Sequence, residues 1–135
     1  MVFHVKHDYI LTWSKTLRCQ KHINLLLKAK QIDQLPFWIE QYTHLAEQLN
    51  VERLLVFNQF KNVFSLLAEE LTPTLNSCEV GYYQGWSNDY SLAEVIHADY
   101  ENNIRYGQLK HGVHRMDIQL KHEGKLIKSI FSRGQ

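Results

Sequence analysis

The stretch Ile104-Arg-Tyr-Gly-Gln-Leu-Lys-His-Gly-Val-His-Arg-Met-Asp-Ile-Gln-Leu-Lys-His-Glu-Gly-Lys-Leu-Ile-Lys-Ser-Ile-Phe131 decides how this chain is read. Within it, His122-Glu123-Gly124 puts glycine third in a three-residue connection, the place where such hairpins take a left-handed residue. Pairing Lys121 with Lys125 then sets Leu120 opposite Leu126 and Met116 opposite Ile130. A second three-residue loop at His111-Gly112-Val113 pairs Ile104 with Leu120, Tyr106 with Ile118 and Gln108 with Met116. Both hairpins leave the same side apolar, and because side chains alternate along a strand that agreement specifies the register. The inward face is expected to carry Ile104, Tyr106, Met116, Ile118, Leu120, Leu126 and Ile130. Arg105, Leu109, Arg115, Asp117, Gln119, Lys121, Lys125, Ile127 and Phe131 fall on the outer face.

Upstream of this stretch, Val80, Tyr82, Gln84 and Trp86 alternate in a tyrosine-rich segment interrupted by Gly81 and Gly85, which reads as one more strand. Residues 91–101 are open between a strand, which Leu92, Ile96, Ala98 and Tyr100 suit, and a helix, which Leu92, Val95, Ile96 and Tyr100 suit; Ser91 followed three residues later by Glu94 is a capping-box pattern that tips the reading narrowly toward a short helix. Ahead of Pro73 the period changes to that of helices. Tyr9, Trp13, Thr16, Cys19, Ile23 and Leu26 recur every three or four positions, as do Trp38, Tyr42, Leu45 and Leu49 after Pro36. Leu54, Phe57, Phe60, Phe64, Leu67 and Leu71 form a third run, with Asn50 available as its N-cap. Asn50 alone argues for a break between the second and third runs, which could otherwise be one bent rod. The expected architecture is an α+β single domain over residues 1–135, with a helical half at about 8–71 and a sheet half at about 79–132. Three amphipathic helices pack on one face of an antiparallel meander with two hairpins.

The 135 residues are 44% hydrophobic and 21% charged, with 6 Gly and 2 Pro, which excludes disordered, collagenous and low-complexity classes. No signal-peptide pattern opens the sequence and no long apolar run interrupts it, so a cytoplasmic location is expected, with Cys19 and Cys78 as free thiols. The net charge of +1 conceals a segregation: +5 over residues 1–30, −9 over 31–103 and +5 over 104–135. Blocks of this kind steer association with a complementary partner.

Eight histidines call for a test of metal or catalytic chemistry. His97 and Asp99 would share a side on a strand but not on a helix, and His111 and His114 flank a turn without enough further ligands for zinc. The sequence has no Gly-rich phosphate loop, GxSxG elbow or HExxH. No cofactor, metal or catalytic residue is therefore assigned. The expectation is a non-enzymatic protein-binding module, such as a small bacterial-type inhibitor, immunity protein or adaptor, using Arg105, Arg115, Gln119, Lys121, Lys125, Ile127 and Phe131. The alternative is a nucleic-acid-binding protein using the same basic outer face. A third class is a small-molecule pocket or enzyme of cone-shaped α+β fold, lined by the tyrosines between residues 82 and 106.

Overall fold

The computed structural model describes residues 2–71, 78–122 and 125–129. Its elements in chain order are α1 (Val2–Ala29), α2 (Leu35–Leu71), β1 (Cys78–Tyr83), α3 (Leu92–Ala98), α4 (Tyr100–Tyr106), β2 (Asp117–His122) and β3 (Lys125–Ser129). The class is α+β, with the helices first and the antiparallel sheet β1-β2-β3 toward the C-terminus.

The first half holds two long helices where three were expected. α1 ends at a left-handed Lys30 (φ 60), where Lys30 N–H donates to Leu27 O (3.2 Å) and Gln31 N–H to Leu26 O (3.0 Å). That is the Schellman pattern, which satisfies the last carbonyls and turns the chain back. After a 3-10 turn at Ile32–Gln34, α2 begins with Pro36 in its first turn and runs 37 residues, roughly 55 Å at 1.5 Å per residue. Asn50 does not break it, because its side chain is engaged elsewhere. Its Nδ2 donates to Gln84 Oε1 (2.8 Å) and its Oδ1 accepts from the Tyr82 hydroxyl (2.7 Å).

α1 and α2 form an antiparallel hairpin, with Cys19 against Trp38, Gln20 against Tyr42 and Tyr9 against Arg53. The buried stripe of α1 differs from expectation at its start. Thr16 is buried as the spacing predicts, but Thr12 is buried beside it and Trp13 is 42% exposed. The two threonine hydroxyls donate to the carbonyls one turn back, Asp8 O and Thr12 O, so the seam can bury them without orphaned donors. On α2 the expected apolar run weakens after Leu49: Phe57 is buried, but Leu54 and Phe60 are largely exposed.

The core does not lie between helices and sheet. Ile23, Leu26 and Leu27 of α1 and Leu35, Tyr42, Ala46 and Leu49 of α2 pack with Trp86, Leu92, Ile96, Leu109 and Val113. The chain between β1 and β2 thus closes the open side of the helical hairpin. The capping box at Ser91 is present, with Glu94 N–H donating to Ser91 Oγ and Ser91 N–H to Glu94 Oε1.

The second expected hairpin is absent. Residues 100–106 are α4, ended by a left-handed Gly107 (φ 73) whose N–H donates to Asn103 O at 2.9 Å. Alternation of Ile104, Tyr106 and Gln108 coincided with a helix too short to display its own period. Tyr106 is 68% exposed and Leu109 is 2% exposed, the reverse of the faces expected for them. β2 pairs instead with β1, placing Val80 opposite Leu120 and Tyr82 opposite Ile118. That face does meet a helix, because Tyr82 packs on Phe57 of α2 with ring centroids 5.6 Å apart. The remaining hairpin is real but shifted: Lys125 lies opposite His122, not Lys121, and a bulge between Leu120 and Lys121 brings Lys128 opposite Leu120. Leu126 is 55% exposed, and Ile130 and Phe131 lie outside the described residues.

Candidate functional site

The structure disperses the basic face expected from the sequence. Arg105 is exposed on α4, and Arg115 closes a 3-10 turn at Val113–Arg115. Gln119 and Lys121 are half-buried on β2, where Lys121 stands across from the opposite charge of Glu79. Lys125 is exposed on β3, beside the backbone of Ile127. Phe131 lies outside the described residues.

A different cationic cluster is assembled by the segment from Gly107 to Met116. Its cations are the exposed Lys110 and Arg115; His111 is half-buried, burial of the His114 ring and the neighbouring Arg115 lower the His114 pKa and disfavour its charged form, and Leu109 and Val113 anchor the segment in the core. Its backbone is braced at almost every step. Leu109 N–H donates to Asn24 Oδ1 (3.0 Å), Lys110 N–H to Asn103 Oδ1 (3.1 Å) and Val113 N–H to the Tyr42 hydroxyl (3.1 Å). Arg53 Nη1 donates to Val113 O (3.0 Å) and Arg115 Nε to Lys110 O (3.2 Å). Gly112 N–H donates to Gly85 O at 3.3 Å, in a contact so close that a Cβ on Gly85 would sit 2.0 Å from Gly112 O. Loops held this firmly on a packed scaffold are where binding groups gain fixed positions.

His111 is oriented too, with Nδ1 2.7 Å from Asp99 Oδ2. Asp99 was a candidate orienting acid in the sequence, but for His97. The actual partner is twelve residues away, and the link is made by α4 and its left-handed cap. Tyr42 gave no sequence signal as a brace because helical periodicity already explains it, and Arg53 gave none because a lone arginine on a helix reads as a solvated charge. Among the described residues no three of His, Cys, Asp and Glu are placed to hold a metal. No described helix is long and apolar enough to cross a membrane. The left-handed glycines offer no open phosphate cradle: Gly85 faces Gly112, Gly107 faces the Lys28 side chain and Gly112 faces the Tyr42 hydroxyl.

Burial pushes the Tyr42 hydroxyl up to about 12, against the opposing pull of the Val113 N–H and the Arg53 cation, and burial likewise takes Tyr82 to about 12. Since these hydroxyls hold their protons more tightly folded than unfolded, their contribution to stability is intact below the unfolded value of about 10. It is lost as the pH climbs through that value toward 12. A spectrophotometric titration at tyrosinate wavelengths is expected to show two of the seven tyrosines ionising late, together with unfolding. A single transition of all tyrosines near pH 10 would contradict this placement.

The chain is similar to bacterial proteins named DNA replication and repair protein RecF. It is 33% identical over 138 residues to that of Pseudoalteromonas translucida and 35% identical over 138 residues to that of Marinobacter nauticus. The Cellvibrio japonicus protein is 33% identical over 137 residues. These alignments cover 99–100% of this chain but only 37–38% of each relative, so the chain spans little more than a third of their length. Among solved structures, one titled as the recombination mediator protein RecF-ATP in the RecFOR pathway superposes with a TM-score of 0.74 at 18% identity. It covers 89% of this chain and 35% of that one, and it supports the fold. No family model matches the sequence. The likeness to the RecF proteins overturns the expectation of an inhibitor, immunity protein or adaptor, since relatives matching along nearly the whole chain carry a DNA replication and repair name. Charge segregation was common to both readings and could not choose between them.

Proposed function

We propose that this chain acts in DNA replication or repair and contacts DNA through the braced loop that carries Lys110, His111, His114 and Arg115. The observation that carries this reading is the likeness of nearly the whole chain to the RecF proteins, at 33–35% identity for the three named. The loop supplies the chemistry: exposed cations on a backbone that cannot drift, suited to phosphates at fixed spacing. Arg105 adds a further exposed cation on α4. Lys125 is a secondary contact on the sheet edge, whereas Lys121 is poorly placed because Glu79 lies across from it. A place in the pathway named for the structural neighbour also implies protein partners, so the protein-binding expectation survives as part of this reading without its inhibitor role. ATP, named for that neighbour, finds no phosphate cradle among this chain's described glycines, and we assign the chain no nucleotide chemistry.

The test is DNA affinity as a function of salt. The 135-residue chain is expected to bind DNA with an affinity that falls linearly on a log-log plot against salt. Lys110→Ala and Arg115→Ala should each reduce the slope by about one. Lys121→Ala should change it less. Absence of DNA binding at low salt, or slopes indifferent to both loop substitutions, would refute the assignment.

A further inference from the structure

We propose that the cleft next to the basic loop is a docking pocket for an arginine side chain presented by a protein partner. It takes a ligand of the opposite charge to the one assigned to the loop, so it does not depend on the DNA reading. The cleft has a volume of about 540 Å³, and Ser87, Tyr90, Glu94, Val95, Asp99 and His111 are among its walls. That size falls within the roughly 300–1,000 Å³ of small-ligand sites, ample for one long side chain.

Three features fit a guanidinium. The first is a pair of carboxylates with acceptors to spare. Glu94 is bonded by the backbone and hydroxyl of Ser91 through Oε1 (3.3 and 3.0 Å), and Asp99 meets His111 through Oδ2 (2.7 Å). Among the described residues Glu94 Oε2 and Asp99 Oδ1 take no hydrogen bond, so each acid can still receive an N–H from an incoming cation. The second is Tyr90, which is 59% exposed and absent from the ring contacts among the described residues. A guanidinium stacks on such a ring while its fork of donors reaches carboxylates, a combination that lysine lacks. The third is the apolar wall of Val95 and Ala98, where the methylene stem can pack.

His111 apart, the wall residues named come from the stretch 31–103, whose net charge is −9. An adjoining cleft of about 580 Å³ shares His97 and Ala98 with the first and adds Glu101, so acidic character continues along the path of a bound segment. That favours a basic protein segment as the occupant, and arginines seated in pockets are among the side chains that carry most of an interface's energy. DNA fits worse, because its phosphates would face Glu94 and Asp99.

The test is an NMR titration of the whole chain with the blocked peptide Gly-Leu-Arg-Leu-Gly and with counterparts carrying lysine or the neutral isostere citrulline in place of arginine. The arginine peptide is expected to give saturable shifts of the Tyr90, Val95 and Asp99 amides, the lysine peptide weaker binding and the citrulline peptide none. Glu94→Gln preserves the capping box, which glutamine also completes, and should weaken the arginine peptide about tenfold. Tyr90→Ala should weaken it about threefold and Tyr90→Phe should bind as wild type. Absence of saturable shifts with the arginine peptide, or equal binding of the citrulline peptide, would overturn the proposal. Equal binding of the lysine peptide would overturn the arginine assignment, and displacement of the peptide from the cleft by DNA would overturn the protein occupant. A chain that fails to bind DNA yet takes the arginine peptide would remove the earlier reading and uphold this one.

Discussion

Gly85→Ala is expected to lower the melting temperature by roughly 10 °C or more, read by circular dichroism. Gly85 has φ 114, a region that costs a residue bearing a Cβ about 1–3 kcal/mol. The added Cβ would meet Gly112 O at 2.0 Å and Gly112 C at 3.0 Å. Both are backbone atoms, so no rotamer change relieves the contact. Gly112 cannot retreat freely, since Val113 beside it is bonded on both sides, through its N–H to Tyr42 and its carbonyl to Arg53. Strain and displacement together should cost roughly 3 kcal/mol, among the larger effects of single substitutions. Gly81 provides the control. A Cβ there meets nothing closer than 3.9 Å, so Gly81→Ala should leave the melting temperature nearly unchanged. Equal stability of the two variants would show that the crossing at Gly85 and Gly112 is not as close as described.

Trp86→Ala should cost about 3–5 kcal/mol, the usual range for emptying a buried aromatic site. The side chain is 1% exposed and sits in the cluster that joins both long helices to the segment after β1. Neighbours from separate elements cannot collapse together into the space. Urea denaturation is expected to show a lower midpoint at an unchanged slope. Leu25→Ala, at a residue 64% exposed on α1, should fall within about 0.5 kcal/mol of wild type. Similar midpoints for the two variants would contradict the location of the core.

Much of the helical half could be read from the sequence because burial imposed its period there: Cys19, Ile23 and Leu26 on α1, then Tyr42 and Leu49 on α2, are buried as the spacing predicts. Asn50 misled, since an N-cap and a mid-helix residue bonded to a distant strand have the same local sequence. Ser91 and Glu94 were legible because a capping box is complete within four residues. The stretch 104–113 was not, because its organisation depends on partners far away. Asn103 is buried in order to hold Lys110, and Gly107 and Gly112 take left-handed conformations set by contacts with α1 and α2. Two glycines and an apparent alternation were equally good signs of hairpins, and no local rule distinguished them. The candidate site inherits that difficulty. Arg115 was singled out, but its neighbours in space proved to be Lys110 and His114 on a loop, with Lys121 and Lys125 apart on the sheet. The inhibitor reading failed for another reason: charge layout describes how a molecule meets its partner and carries no information on the partner's class.

The braces of the basic loop reach far back along the chain, with Val113 tied to residues 60 and 71 positions earlier and Leu109 to one 85 positions earlier. The α1–α2 hairpin can assemble from neighbouring turns, but these ties must wait for that hairpin to exist and for a long closure to be completed. Bonds made after the folding barrier slow escape from the native state without hastening arrival. The same contacts that fix the cations in place therefore act as a latch set at the end of folding, keeping the finished molecule closed rather than guiding the chain toward it.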